Sequence, residues 1–249
     1  MPDYSELFTV ARGAIVDCIE LLKGLSLNPY DTVFSDELPK EMKAPADRIL
    51  EEVIFKALRP TRIGILSEEY GEDEYLDKSE LHWIVDPLDG TVNYVRGIGS
   101  CAVSIALWKG KEPIFGVVGE YPNGIIWWGG KEFGAFSDKT RLNVSQVKNV
   151  SQAVLCTGFP SRFDFSRKSM TRVLETFSNF GKVRMLGAAS LSIIQVAKGS
   201  AEVYIEKDIM IWDVAAALAI LQGAGGQFKE LSGRFQNSYN IFASNGLID

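Results

Sequence analysis

Leu7, Val10, Ala11, Ala14, Ile15, Cys18, Leu21 and Leu22 recur at three- and four-residue steps, so the chain opens with the pattern of an amphipathic helix that stops near Gly24. Residues 25–44 lose that period; Asn28-Pro29, Pro39 and mixed charges predict a mobile surface loop. Pro45 suits the first turn of a second helix, which keeps Ile49, Val53, Ile54 and Leu58 on one face. Residues 62–66 read as a short buried strand, broken by the acidic run Ser67-Glu68-Glu69-Tyr70-Gly71-Glu72-Asp73-Glu74. A strand over 82–85 runs into Asp86-Pro87-Leu88-Asp89-Gly90, and strands at 101–108, 114–119 and 125–129 follow at turn-like spacings, the pattern of an antiparallel meander. After residue 142 the texture changes. Strands near 153–157, 183–186 and 202–205 alternate with helices near 167–178, 189–198 and 212–223. The expected architecture is an α+β half, residues 1–142, joined to an α/β half, residues 143–249.

Composition adds few constraints. The 249 residues are 46% hydrophobic and 23% charged, which is ordinary for a globular chain with a large core. A net charge of −6 argues against a nucleic-acid polymer as partner. Cys18, Cys101 and Cys156 are odd in number and widely spaced, which fits a reducing cytoplasm and excludes a disulfide framework. The first 24 residues lack a basic stretch followed by an apolar one, and no apolar run approaches eighteen residues, so neither a secretory signal nor a membrane span is expected.

Chemistry concentrates in the carboxylates. Glu68 and Glu69 follow one strand, Asp86 and Asp89 follow the next, and Asp213 opens a helix. Carboxylates gathered at one place repel and raise one another's pKa, so such clusters are normally neutralised by a hard divalent cation. Magnesium suits the donor set, and two such ions can clamp the oxygens of a phosphoryl transfer. Gly90 and Thr91 would supply backbone N–H groups to an anion, and Gly187-Ala188-Ala189-Ser190 would open a further helix with a second free set. Plainer readings compete: a solvated turn at Asp86-Pro87-Leu88-Asp89-Gly90, a solvated acidic loop, and Asp213 as a charge complementing its helix dipole. His82 is the single histidine and sits at a strand start, so triad or phosphohistidine chemistry lacks material.

Trp83-Ile84-Val85-Asp86-Pro87-Leu88-Asp89-Gly90-Thr91-Val92-Asn93-Tyr94 resembles the first signature of the inositol monophosphatase family. Trp212-Asp213-Val214-Ala215-Ala216-Ala217, followed by Gly225-Gly226, is similar to the second, with Glu68-Glu69 and Gly187-Ala188-Ala189 in the right order. The resemblance covers nearly the whole chain. It implies a layered αβαβα sandwich of the sugar-phosphatase type, usually dimeric, with two or three magnesium ions, and lithium inhibits many members. Glu68, Asp86 and the Leu88 carbonyl would hold the first ion; Asp86, Asp89 and Asp213 would hold the second; Glu68 would help bind a third. Glu68 and Thr91, with Asp47 behind Thr91, would activate the water. Gly90 and Thr91 would bind phosphate, and Ala189 and Glu206 would meet substrate hydroxyls. Gly187, Ala188 and Asp213 complete the implied substrate pocket.

Two positions depart from the family pattern: Ala44 replaces a frequent Thr ahead of Asp47, and Ala188 stands where Thr or Ser is frequent. The resemblance points to a small phosphate ester, with inositol 1-phosphate first. Fructose 1,6-bisphosphate, a 3′-phosphonucleotide and histidinol phosphate are the alternatives. Arg162, Arg167 and Lys168 are either a binding site for a second phosphate or an ordinary basic helix start. A non-catalytic sugar-phosphate-binding protein is the reading from another class.

Overall fold

The computed structural model describes residues 4–25, 33–34 and 42–249. The first helix, α1 (Ser5–Gly24), and the second, α2 (Pro45–Leu58), pack together over one face of a large sheet. Between them, β1 (Val33–Phe34) and β2 (Met42–Lys43) pair antiparallel within the stretch expected to be a loop; the rest of that stretch, apart from 25 and 44, lies outside the described residues. The large sheet takes β3 (Gly64–Ser67), β4 (Gly71–Glu72), β5 (Leu81–Asp89), β6 (Cys101–Lys109), β7 (Glu112–Tyr121), β8 (Ile125–Gly130), β9 (Gly134–Ser137) and β10 (Thr140–Arg141), in the order β10-β9-β8-β7-β6-β5-β3-β4. Only the β3–β5 pairing in it is parallel. The short helix α3 (Thr91–Val95) follows β5 directly.

The second sheet is built from β11 (Val154–Thr157), β12 (Lys182–Arg184), β13 (Val203–Met210), β14 (Gln227–Ser232) and β15 (Ser238–Ser244), ordered β12-β11-β13-β15-β14. Three helices complete the chain: α4 (Arg167–Ser178), α5 (Ala189–Ala197) and α6 (Ile211–Gly223). The terminal strands β14 and β15, and the short β9 and β10, have no counterpart in the expected pattern. β14 alternates exposed and half-buried residues and is weakly apolar, so its period gives little signal.

Strand alternation divides the core into layers. Trp83, Val85, Val103, Ile105, Leu107, Phe115 and Val117 face α1 and α2, whereas Ile84, Ala102, Ala106, Trp108 and Val118 face α6 and α5. α6 is apolar on every side, and each residue from Val214 to Leu221 is buried, as expected of a helix held between two sheets. Its approach to the large sheet is close: a Cβ on Gly116 of β7 would lie 2.1 Å from the Ala216 carbonyl oxygen. The outer face of the small sheet carries a third cluster, including Leu155 and Val203, against which Phe177 of α4 packs. The result is a layered αβαβα sandwich. Its halves share one core layer, because α6, from the second half of the chain, fills the space over the first sheet.

Candidate active site

Two β-bulges shape the site. On β5, Asp86 pairs with Ser104 and Asp89 with Ala102, so one extra residue on β5 shifts the register where the two aspartates lie. The strand therefore continues through Asp86-Pro87-Leu88-Asp89, and the turn expected there begins only at Gly90. On β13 the register shifts between Glu206 and Ile209, with Asp208 at φ +56°. Asp208 is fixed by the Arg234 N–H at 2.7 Å and its Nε at 2.8 Å. The first bulge lies at the two aspartates of β5, and the second lies beside Glu206 and Asp208, which border one cavity.

Glu68, immediately after β3, Asp86 on β5 and Asp213 in the first turn of α6 each place a carboxylate oxygen within 4.8 Å of the others. Asp86 is fully buried. Its Oδ1 accepts the Leu88 N–H at 2.9 Å, and its Oδ2 has no hydrogen-bond partner among the described residues. Burial, then Glu68, Asp89 and Asp213, pushes the Asp86 carboxyl well above its ordinary pKa; burial, then Glu68, Asp89 and Glu206, does the same to Asp213. A buried carboxylate with one oxygen lacking a donor, close to two more carboxylates, is the environment a hard divalent cation satisfies. These residues fit a magnesium-type ion.

Asp89 is differently placed. Its Oδ1 accepts the Ala189 N–H at 3.1 Å, and its Oδ2 accepts the Ser190 N–H at 2.8 Å and the Ser190 hydroxyl at 2.5 Å. Burial raises its pKa to about 6, against the opposing pull of those bonds. The start of α5 therefore spends two N–H groups on Asp89, and they are not the second free set expected there for a phosphate. Gly90 adopts φ +89°, which bars a side chain on strain alone, and a Cβ there would also meet the Gly187 carbonyl at 3.1 Å.

Thr91 Oγ1 lies 3.2 Å from Asp47 Oδ1 and 3.1 Å from the Leu88 carbonyl, and its single hydrogen serves one of these acceptors. Asp47 is buried at the third position of α2, where its Oδ2 accepts the Ala44 N–H at 2.7 Å. Ala44 has no acceptor to return, so only half of a capping box forms, and the Thr frequent at that position is not needed to hold Asp47. Burial is the main cause that raises Asp47 to about 6, with Glu69 adding to it. Asp213 repeats the arrangement, its Oδ2 accepting the Met210 N–H at 3.3 Å.

Glu206 is buried and accepts the Tyr204 hydroxyl at 2.8 Å; burial raises its pKa to about 7. Its carboxyl borders a cavity of about 670 Å³ between α4 and the small sheet, walled by Phe159, Phe163, Phe177 and Val173.

The sequence profile of the inositol monophosphatase family matches residues 3–248. The chain belongs to the inositol monophosphatase family. A fructose-1,6-bisphosphatase/inositol-1-monophosphatase of Aquifex aeolicus is 35% identical over 211 residues, covering 83% of this chain and 77% of that protein. A histidinol-phosphatase of Streptomyces coelicolor is 30% identical over 261 residues, covering 100% and 96%. The crystal structure of extragenic suppressor protein suhB from Bartonella henselae superposes with a TM-score of 0.85 at 29% identity, covering 97% of this chain and 94% of that one. Family membership makes this protein a phosphoric monoester hydrolase of a metal-dependent class.

Within this family member the remaining expected residues are placed as follows. Gly187 adopts φ +79°, and Asn93 Nδ2 donates to the Leu186 carbonyl at 2.7 Å, tying α3 to the approach to α5. Ala188 is buried at the N-cap of α5. Arg162 stacks over Phe235, 4.8 Å from the ring centroid, while Arg167 and Lys168 are exposed at the start of α4. Two residues beside the site were not anticipated: Tyr204, which holds Glu206, and Glu51, whose bonds bracket Glu68-Glu69; Ser190, expected to offer a free N–H, instead holds Asp89. All three cysteines are free and buried. Among the described residues, no helix is long and apolar enough to cross a membrane.

Proposed function

We propose that this phosphatase hydrolyses a small polyol phosphate, inositol 1-phosphate first, with two or three magnesium ions held by Glu68, Asp86, the Leu88 carbonyl, Asp89 and Asp213. The unpartnered Asp86 Oδ2 among three converging carboxylates carries the reading. When bound, the cations supply positive charge that this acidic pocket lacks and ease deprotonation of water near neutral pH. Thr91 gives its hydroxyl hydrogen to Asp47 or the Leu88 carbonyl and keeps its lone pairs to accept a hydrogen bond from one proton of the attacking water, while Glu68 accepts the other proton. Gly90 and Thr91 N–H groups face the phosphate. Glu206 accepts hydrogen bonds from substrate hydroxyls, with Tyr204 fixing its rotamer.

A second reading has a specific basis. The aromatic walls of the cavity beside Glu206 favour a leaving group with a ring and an amine, and the histidinol-phosphatase relative spans the whole chain. Phosphate release from inositol 1-phosphate, fructose 1,6-bisphosphate, histidinol phosphate and 3′-phosphoadenosine 5′-phosphate, each with magnesium, separates the two. Fastest turnover of inositol 1-phosphate upholds the first; a preference for histidinol phosphate replaces it with the second; no turnover, with tight ligand binding, overturns both for a binding role. A homodimer fits the exposed Phe165 just before α4 and Leu174 on it, and sedimentation equilibrium distinguishes 27.5 kDa from twice that mass. Three free thiols fit a cytoplasmic location, to be checked by cell fractionation.

A further inference from the structure

Three residues on one face of α2, and Arg59 at its C-cap, follow at intervals of four residues behind Thr91 and the Ser67–Tyr70 turn. Asp47 bonds Thr91. One turn on, Glu51 Oε1 accepts both the Ser67 hydroxyl at 2.5 Å and the Tyr70 N–H at 3.0 Å. The next turn brings Phe55, whose ring packs on Tyr70 at a centroid distance of 5.2 Å, and the next brings Arg59, which lies over both rings at 4.9 and 5.9 Å. Residues four apart on a helix lie one above another, about 6 Å apart along the axis, so this is a single stripe. Ser67 and Tyr70 are the two residues that flank Glu68-Glu69, and Ser67 is fully buried.

We propose that Glu51 is a positioning residue that clamps the Ser67–Tyr70 turn, so that one rigid helix sets the separation between Glu68 and Thr91. The proposal rests on the roles given above to Glu68 and Thr91. Asp47 fixes one member of that pair and Glu51 the other, each from behind and neither in contact with substrate. Misplacement of a reacting group by about 1 Å costs on the order of 100-fold in rate, which is why a helix is the better ruler than the turn itself. Both bonds use the same oxygen of Glu51, Oε1, so the clamp needs an acceptor at the right reach and not a charge.

The test is a comparison of Glu51→Gln, Glu51→Asp and Glu51→Ala. Gln keeps reach and acceptor but loses charge; Asp keeps charge but loses reach by a methylene. The clamp predicts that Gln retains at least about a third of kcat, while Asp and Ala lose roughly 10- to 100-fold in kcat with KM changed less than about threefold. Magnesium titrated calorimetrically into the metal-free protein should bind the Asp and Ala variants about tenfold more weakly and the Gln variant as the unaltered protein. That readout needs no turnover, so a failure of the proposed reaction leaves it standing. If Asp outperforms Gln, a charge role replaces the clamp. If Ala lowers Tm while kcat per folded molecule and magnesium affinity stay unchanged, Glu51 is a stability residue only and the proposal is overturned. Should Ala not fold, the Gln–Asp pair decides alone.

Discussion

Replacing Asp86 by Asn should make the metal-free protein more stable and leave it unable to gain stability from magnesium. Asp86 Oδ1 has its bond from Leu88, which the amide oxygen of Asn keeps; Oδ2 has none, and Asn puts a neutral donor there, in a group whose neighbours are the Glu68 and Asp213 carboxylates. At 4.8 Å, two carboxylates repel by about 3.5 kcal/mol at an effective permittivity of ~20. The metal-free protein limits that cost by taking up a proton, which from the ordinary carboxyl value of 3.8 costs about 5 kcal/mol at pH ~7.5. Relief of about 2–3 kcal/mol lies between no effect and that ceiling, and corresponds to roughly 5–10 °C in Tm for a chain of this size. The sign with pH follows from the raised folded-state pKa. Between the unfolded and folded values the folded protein holds a proton that the unfolded chain does not, so the unaltered protein loses stability as pH rises through that window. The advantage of Asn should therefore be large at pH ~8 and shrink toward pH ~5. Calorimetric melts in EDTA and in magnesium measure both effects. In magnesium the order should reverse, because only the unaltered protein gains from ligand linkage. A lower Tm for Asp86→Asn in EDTA at pH ~7.5, or an equal magnesium-induced rise in both proteins, would refute the reasoning.

Thr91→Ala should lower kcat by about 100- to 10,000-fold with the melting curve nearly unchanged, and a loss under tenfold removes Thr91 from water activation. Glu206→Ala should weaken kcat/KM on inositol 1-phosphate by about 10-fold or more and leave a small aryl phosphate within about threefold, since a missing acceptor for a substrate hydroxyl costs about 1.5 kcal/mol or more; equal losses on both place Glu206 outside the pocket. Gly116→Ala should destabilise by about 1–3 kcal/mol, because the added methyl meets the Ala216 carbonyl 2.1 Å away, and an unchanged Tm contradicts the close seating of α6 on β7.

The reading of the sequence was strongest where a period and a chemical constraint coincide. The helices at 5–24, 45–58, 167–178, 189–197 and 211–223 carry apolar stripes or all-apolar runs, and the carboxylates at element ends stand out because each follows or opens a buried element. What stayed hidden depends on contacts far apart in the chain. Nothing local shows that the α5 N–H groups serve Asp89, a hundred residues away, and not a phosphate. A bulge leaves alternation intact on either side, so the continuation of β5 through Pro87 reads as a turn. Tyr204 and Glu51 each had a weak local signal: Tyr204 shares a strand face with Glu206, and Glu51 a helix face with Asp47. Without the partner residue, such a spacing is indistinguishable from packing.

The cost of the site and the source of the stability that tolerates it lie in the same element. Asp213 sits in the first turn of α6, where the helix N-terminus favours a negative charge and the Met210 N–H is bonded. The following two turns bury Val214 through Leu221 between the sheets, at roughly 25 cal/mol for each Å² of apolar surface removed from water. A helix so fixed cannot move Asp213 away from Asp86 and Glu68 to relieve their repulsion, because sliding would drive Ala216 into β7 at Gly116. The carboxylates are held together by the packing of the core, and the metal-free protein carries their repulsion as strain that cation binding can release. On this account, magnesium affinity is set as much by the tightness of α6 against β7 as by the carboxylates themselves. Loosening that contact should weaken magnesium binding without touching a ligand.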